Sequence, residues 1–352
     1  FSRQGSALAH TFLADLCELG VPGVDWDWAL CHMDTDLRRS YGEDYLLRGL
    51  AEPISHTLDL ALGYHCTAKV ARYVGDNQLA TQFERLAGQW VNAFNGADGL
   101  LHDSSYYEGG KWNYSFRLLH DMQARINLAG GEGAFVELLD RFFGYGAEAV
   151  KQVGEHPSPA DMVAGYALNR FEGLNNEPDM EAPWAYHYAG RPDRTAEVVH
   201  AAINNMFGLG RGGLPGNEDS GGLSSWYVWA ALGLFPVAGQ SLYLINAPSF
   251  AEAQIAFADR ELVIDAPGFV EPVAGGPAQY VQSATFNGEM LNRTWLTARE
   301  LHDGGHLRLQ LGRQPSAWGT MTRPPSASQT DNSLTTAAAA KPVSADAADR
   351  QR

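Results

Sequence analysis

Apolar residues recur at helical spacing along the first two thirds of the chain. Leu8, Phe12 and Leu16 fall on one helix face, and the stretch after Pro53, which suits a first helical turn, repeats the pattern. Such periods continue to about residue 235 without an obvious strand between them. Residues 1–237 are therefore predicted to form a mainly α toroid of paired helices, with further helices over 114–129, 131–144, 160–169, 181–189, 193–207 and 222–233.

The pattern changes near Pro236, where the apolar runs become short, β-branched and alternating. Asn287-Gly288 between two such runs is a strong hairpin signal, and Gly304-Gly305 is read as another. Residues 238–320 are predicted to form a smaller C-terminal antiparallel β unit of five or six strands. Residues 321–352 contain few large apolar side chains, which predicts a disordered tail.

Charge and cysteine content exclude several classes of protein. The formal net charge is −16, and no basic stripe is available to neutralise nucleic-acid phosphates or to dock on an anionic membrane. The three cysteines form no CxxC pair. The sequence contains no run of eighteen apolar residues, so membrane insertion is not predicted. The chain has no P-loop, GxSxG or HExxH motif, and no GxGxxG after a strand.

Three short stretches are more polar than helix packing requires. The first, YYEGGKWNY at 106–114, places Glu108 before two glycines and among aromatic residues. Desolvation there would raise the carboxyl pKa, as a general acid requires. A helix-start loop, with its glutamate near the positive end of the helix, explains the same residues, and local sequence alone favours that loop.

The second stretch, NNEPD at 175–179, gathers the amide and carboxylate oxygens that hard cations such as calcium prefer. It lacks the EF-hand spacing, and local sequence favours a turn whose side chains cap the helix at 181. His120 and His187 lie on predicted helices, where a satisfied core or rim histidine is the simpler interpretation.

The third stretch, GNEDSGG at 216–222, puts Glu218 and Asp219 at the start of an apolar, aromatic helix. Because such a helix should be buried, the acidic turn is expected to face a cavity, although an Asp N-cap also explains it. Two carboxylates on opposite sides of one pocket would allow glycoside hydrolysis. Inversion needs roughly 6.5–9.5 Å between them.

Taken in order, these stretches resemble glycoside hydrolase family 92. The segment GNEDSGGLSSWYVWAALGLFPV at 216–237 is close to the family pattern G-N-x-D-x-G-x-x-S-x-W-Y-x-x-x-A-L-G-x-x-P-V. NEP at 176–178, EGGKWNY at 108–114 and ISHTLDLAL at 54–62 resemble further family segments, so the resemblance extends over nearly all of 1–320. It implies an (α/α)6 barrel that removes terminal α-linked mannose from glycans, foremost α-1,2-linked, with inversion and with Ca²⁺.

The resemblance also implies roles for single residues. By motif position Glu108 is the general acid and Asp219 the base that activates water, while Asn217 stands where some members carry a second, assisting Asp. Asn176 and Glu177 would hold the calcium together with Asp219 and would also bind the substrate. Trp112 and Trp226 would shape the pocket or support it.

The family further implies an N-terminal β-sandwich as a packing partner, which we expect to be missing from these 352 residues, and a periplasmic or secreted, bacterial-type location. Asn113 stands where the family has glutamine, and Tyr64-His65 where acidic residues are common. Two alternatives stay open. One is an inverting (α/α)6 glycosidase that acts on another α-hexoside, and the other is an inactive carbohydrate-binding fragment.

Overall fold

The computed structural model describes residues 7–104, 110–145, 177–216, 218–257, 259–272 and 276–329. Helices dominate these residues up to Ala231, and strands dominate afterwards. None of the described helices combines the length and the apolar character that crossing a membrane requires.

The α-helices of the described residues are α1 (Leu8–Leu19), α2 (Trp26–Arg48), α3 (Ser55–Val74), α4 (Asn77–Ala87), α5 (Lys111–Tyr114), α6 (Met122–Leu128), α7 (Glu132–Phe143), α8 (Pro192–Met206), α9 (Gly222–Ala231) and α10 (Ala298–Asp303). Shorter 3₁₀ segments cover Gly88–Ala93, Glu177–Asp179 and Ala182–Ala189. Of the predicted helix over 114–129, only Tyr114 at the end of α5 and the residues of α6 are helical, and the predicted helix over 181–189 is a 3₁₀ segment. The predicted helix over 160–169 lies outside the described residues.

Side chains and glycines set the helix ends. Asp25, Asp76 and Asp121 each accept a hydrogen bond from the backbone N–H three residues later, at 3.0, 2.9 and 3.1 Å. Such N-caps contribute about 1 kcal/mol each. Gly20 and Gly49 follow α1 and α2 with φ of 68° and 65°, a left-handed conformation that ends a helix at little cost for glycine.

Helix α3 lies between two apolar cores, which is why it is buried on almost every side. Leu58 and Ala61 belong to the core that also contains Trp184 and Trp226. Other α3 side chains, such as Tyr64, pack into a second core with α1, α2 and α4. The segments of the candidate site are therefore anchored on the first of these cores.

The strands of the described residues are β1 (Phe94–Asn95), β2 (Leu100–Leu101), β3 (Leu234–Val237), β4 (Leu242–Ile245), β5 (Glu252–Phe257), β6 (Arg260–Asp265), β7 (Tyr280–Phe286), β8 (Glu289–Met290), β9 (Trp295–Thr297) and β10 (Gly305–Gly312). They form a ribbon β1-β2, a three-stranded sheet β3-β4-β9 and a five-stranded sheet β5-β6-β10-β7-β8. The ribbon lies in the helical region, where no strand was predicted. Trp229 and Leu232 pack on the apolar core of the strand region, so α9 joins that region to the helices.

The strand region is mostly antiparallel, with one exception. Asn287-Gly288 forms the predicted hairpin between β7 and β8, with φ of 53° and 84°. Gly304-Gly305 does not form a hairpin: Thr297 and Glu300 make a capping box that starts α10, and Gly304 ends it. The chain then enters β10 parallel to β6, so the prediction of a purely antiparallel unit is wrong for this pair.

The predicted tail begins at 321, but residues 321–329 lie against the helices. The backbone N–H of Ala327 donates to the carbonyl oxygen of His120 at 2.9 Å, and that of Gln123 donates to the Oγ of Ser326 at 3.0 Å. Short polar side chains thus hold a segment that has few large apolar residues. The rest of the predicted tail, residues 330–352, lies outside the described residues.

Candidate active site

Three predicted site residues, Glu108, Asn176 and Asn217, lie outside the described residues. Chain neighbours of each are described: Gly110 follows the first, Glu177 the second and Glu218 the third. The contacts of these neighbours show how the three polar stretches are arranged.

Asn113 joins the first stretch to the second. Its Oδ1 accepts a hydrogen bond from the backbone N–H of Gly110 at 2.8 Å, and its Nδ2 donates to Oδ1 of Asp179 at 3.0 Å. The exposed fractions of Asn113 and Asp179 are only 6% and 1%. The described residues that follow Glu108 therefore lie directly against Asp179.

Arg117 makes a second link to the same region. Its Nε donates to Glu181 at 2.8 Å, and its NH1 donates to Asp59 of α3 at 3.2 Å. The backbone N–H of Leu118 donates to the same Glu181 oxygen at 2.8 Å. Burial lowers the pKa of Arg117, but the two carboxylates outweigh burial and hold that pKa above its ordinary value. Arg117 is therefore a fixed cation that ties α3 to Glu181.

Trp226 lies in α9, the helix that begins at the end of the third stretch, and it contacts Met180, which directly follows the second stretch. Its Nε1 donates to the carbonyl oxygen of Met180 at 2.9 Å, and its ring stacks on Phe207 with 5.8 Å between centroids. A Cβ added to Gly222 would lie 3.1 Å from Cε of Met180, so the start of α9 packs closely on that side chain. Trp226 is 3% exposed and supports the site from behind. All three predicted stretches thus meet at residues 177–181.

The acidic turn before α9 has an unusual backbone. Asp219, Ser220 and Gly221 have φ of 28°, 59° and 86°, a region that costs non-glycine residues energy. Glu218 Oε1 accepts from the N–H of Ser224 at 3.3 Å, and Gly221, without a side chain, is the N-cap. The alternative reading of Asp219 as an N-cap is therefore wrong. Strained turns of this kind cluster at functional sites.

The acidic turn was predicted to face a cavity, and Asp219 within this turn is exposed. Glu218 folds back onto α9 and is half-buried, whereas Asp219 makes no side-chain hydrogen bond within the described residues. Oε2 of Glu218 is buried and has no hydrogen-bond partner among them. Glu218 is a candidate site residue that sequence reasoning passed over, although it stands at the variable position of G-N-x-D.

Trp112 is half-buried at the start of α5 and packs on the first apolar core. The guanidinium of Arg141 lies 5.3 Å from the centroid of its ring, and Phe116 lies 6.2 Å away, centroid to centroid. A cation on the ring leaves at most one indole face for a sugar.

The predicted calcium ligands can be tested by their chemistry. No group of three His, Cys, Asp or Glu side chains suited to a metal ion occurs within the described part of the chain. Glu177, Asp219 and the unsatisfied Oε2 of Glu218 are nevertheless hard oxygen donors. Calcium takes about six to eight oxygens, including amides, carbonyls and water, so these donors fit it without forming a closed site by themselves.

Two histidines near these segments are buried and neutral. Burial lowers the pKa of His187 to about 3, and burial lowers the pKa of His120 to about 4. Neither ring nitrogen of His187, nor Nδ1 of His120, has a hydrogen-bond partner within the described residues. Their burial agrees with the prediction of core histidines. His65 stacks on His120 at 4.5 Å.

A cavity of about 260 Å³ lies away from these segments, between α8 and the strand region. Its lining includes His200, Asn246 and Arg313 and none of the predicted site residues.

Comparison with known proteins points to one family. The model of the glycosyl hydrolase family 92 catalytic domain matches residues 10–313. A protein of Arthroderma benhamiae, described as an uncharacterized secreted glycosidase, is 34% identical over 227 residues, which are 61% of this chain and 24% of that protein.

Two solved structures from Bacteroides thetaiotaomicron share the fold. One is a family GH92 α-mannosidase in complex with mannoimidazole, with a TM-score of 0.78 and 21% identity over 91% of this chain and 45% of that chain. The other is a family GH92 inverting mannosidase, with a TM-score of 0.77 and 24% identity over 90% of this chain and 48% of that chain. The chain thus spans about half the length of these structures.

Proposed function

The chain belongs to glycosyl hydrolase family 92, and from this premise we propose that it hydrolyses terminal α-linked mannose, foremost α-1,2-linked, from glycans with inversion and with the help of calcium. The observation that supports the proposal is the meeting of the three polar stretches at residues 177–181, through Asn113–Asp179 and Trp226–Met180. The proposal includes an (α/α)6 arrangement of the helices and an N-terminal β-sandwich that packs against them.

In this mechanism Glu108 is the general acid and protonates the leaving oxygen. Asp219 is the base that takes a proton from the attacking water on the opposite face of the sugar, and Asn217 assists it. Such an inverting pair needs roughly 6.5–9.5 Å between its carboxyl groups, which is room for that water. Asp219 lies in a turn with positive φ angles and is exposed.

Calcium is part of the proposal, because the oxygen donors around residues 176–177 and 218–219 fit its chemistry. Asn176, Glu177 and Asp219 would hold it. When bound, the ion supplies a Lewis-acid contact to sugar hydroxyls and positive charge beside the reacting ring. Asn176 and Glu177 also bind the sugar, Trp112 offers it a ring face, and the buried Trp226 keeps Met180 in place.

The exposure of Asp219 has a consequence for the site. A base that activates one water works best where bulk water is excluded. We therefore include the β-sandwich partner in the proposal as the part that covers the acidic turn. We also propose a secreted or periplasmic location, since glycans are found there and the related Arthroderma protein is described as secreted.

The experiment that tests the function is proton NMR of the chain with an α-1,2-mannobiose and calcium. Release of β-mannose as the first product supports the proposal, and loss of turnover with a chelator supports the metal. Release of α-mannose first would reject inversion. Glucose release from α-glucosides, with mannosides untouched, would favour the alternative hexosidase.

The exposed Asp219 favours one further alternative, in which the chain alone binds glycan and does not cleave it. Calorimetric titration with mannobiose distinguishes this case. A fragment of this kind would bind mannobiose tightly with both carboxylates intact, and no mannose would be released.

A further inference from the structure

We infer that Asn113 is a positioning residue that couples the chain segment after the acid Glu108 to the segment that carries Asn176 and Glu177. This inference rests on the proposed function, from which the roles of those residues come. Asn113 touches neither substrate nor metal in this account. It acts by keeping two functional segments in one relative placement.

The two hydrogen bonds of Asn113 end close to the predicted functional groups. Gly110, whose N–H donates to Oδ1 at 2.8 Å, is two residues after Glu108. Asp179, which accepts from Nδ2 at 3.0 Å, is two residues after Glu177. Movement of one segment relative to the other must therefore break or bend one of these bonds.

The chemistry of this bridge calls for an amide. Asn113 accepts from a backbone N–H with one atom and donates to a carboxylate with the other, as an amide side chain can and a carboxylate cannot. A carboxylate at 113 would face that of Asp179 with both groups buried. Buried like charges at this distance repel strongly, so the bridge would open.

This chemistry allows an exchange of the two side chains. In Asn113→Asp the two carboxylates face each other. In the double variant Asn113→Asp/Asp179→Asn, residue 113 still accepts from Gly110, and the amide at 179 donates back to it. The net charge then equals that of the wild type. We expect the double variant to fold and to work like the wild type.

The first readout compares two substrates. The dinitrophenolate of a dinitrophenyl α-mannoside leaves without being protonated. The second sugar of a mannobiose leaves only if a general acid protonates the glycosidic oxygen. We expect Asn113→Asp to lower kcat for mannobiose at least about tenfold more than kcat for the activated mannoside, because Glu108 is displaced. The double variant restores the wild-type ratio. Equal losses on both substrates, or a double variant no better than Asn113→Asp, would overturn the inference.

The second readout needs no activity. The exchange rate of backbone amide hydrogens in peptides covering 104–114 shows directly how well this segment is held. We expect faster exchange in Asn113→Asp and wild-type exchange in the double variant. If wild-type protein cleaves no mannoside, the proposed function fails, yet exchange still decides whether Asn113 couples the segments. Unchanged exchange in Asn113→Asp would reject the coupling.

Asn246→Asp is the matched control, because Asn246 is 5% exposed, as buried as Asn113, and lies in the strand region. It tests whether any buried carboxylate has these effects. We expect wild-type exchange in 104–114 and a wild-type ratio of the two turnover numbers. A changed ratio in this control would mean that the effect of Asn113→Asp is not specific to the bridge.

Discussion

Residues 177–181 and the acidic turn at 218–221 are parts of one predicted site, but the protein supports them differently. The first segment is held by Asn113, Arg117 and Trp226, and Asp179 is 1% exposed. The acidic turn has three consecutive positive φ angles, and Asp219 is exposed. One side of the site is thus fixed by buried polar contacts, whereas the other presents its carboxylate at the surface.

Because of this difference, substitutions on the two sides of the site should affect different quantities, the free energy of unfolding on one side and the turnover number on the other. Substitutions on the buried side should alter the free energy of unfolding, because they leave polar groups without partners in a dry environment. Substitutions of exposed atoms in the turn should alter turnover and leave folding almost unchanged.

The largest effect is expected for Asp219→Asn. An amide cannot take the proton from water, so kcat should fall by at least about 100-fold. The free energy of unfolding should change by less than about 0.5 kcal/mol, because the side chain is exposed. Steady-state kinetics and urea unfolding measure the two quantities. Wild-type turnover would remove Asp219 from the role of base.

Arg117→Met should have the next largest effect, on stability. Without the guanidinium, Asp59 and Glu181 lose their shared cation, and the fold should lose about 2 kcal/mol. This value is below that of a fully buried pair because the three side chains are 23%, 19% and 20% exposed. Urea unfolding measures the change.

The control for this substitution is Arg260→Met, which removes an exposed pair with Asp303 in the strand region. Its cost should be below about 0.5 kcal/mol. Equal costs for the two arginines would contradict the contrast between a buried and an exposed network.

His187→Phe should reduce the acid sensitivity of the fold. The pKa of His187 is about 3 when folded and 6.5 as its ordinary value, so only the unfolded state gains the proton as pH falls below 6.5. Stability contributed by the neutral ring is therefore present above pH 6.5 and is lost at about 1 kcal/mol per pH unit as pH falls towards 3.

Urea unfolding at pH 7 and pH 5 measures this difference. The variant should lose about 1–2 kcal/mol less than the wild type between these values. The exposed His302→Phe is the control and should keep the wild-type loss. Identical losses in wild type and His187→Phe would show that this ring is not buried as described.

The smallest change, in the stability of the fold, is expected when Gly221 or Gly222 at the start of α9 is replaced by alanine. Gly221 has φ of 86°, and a Cβ there would make only an ordinary contact, 3.8 Å from Oε1 of Glu218, so Gly221→Ala should cost about 1 kcal/mol mainly through the backbone. At Gly222, where φ is ordinary, a Cβ meets only the flexible end of Met180, and Gly222→Ala should be nearly neutral. Thermal unfolding compares the two, and an equal effect would argue against the left-handed turn.

Local patterns predicted much of the fold. The helical period of α3 and the Asn287-Gly288 turn depend on neighbouring residues, and the structure confirms both. The helix α10 was missed, although Thr297 and Glu300 carry the spacing of a capping box, because two glycines were taken for a turn. The parallel pairing of β6 with β10 depends on a contact between distant strands, which no local pattern shows.

The spatial arrangement of the site residues was harder to predict from the sequence than the fold was. Asn113 and Asp179 are 66 residues apart and Trp226 and Met180 are 46 apart, so their contacts follow from tertiary packing. The motifs nevertheless identified the three stretches that meet. The exposure of Asp219 and the capping by Glu218 depend on the positive φ angles of the turn, which the letters EDSGG do not specify.

The most direct test of one shared site is a crystal structure of the protein soaked with mannose and calcium. We expect one sugar and one cation beside Glu177, with the carboxyl groups of Glu108 and Asp219 on opposite faces of the ring and roughly 6.5–9.5 Å apart. Carboxyl groups much farther apart than that, or a sugar bound away from residues 177–181, would contradict it.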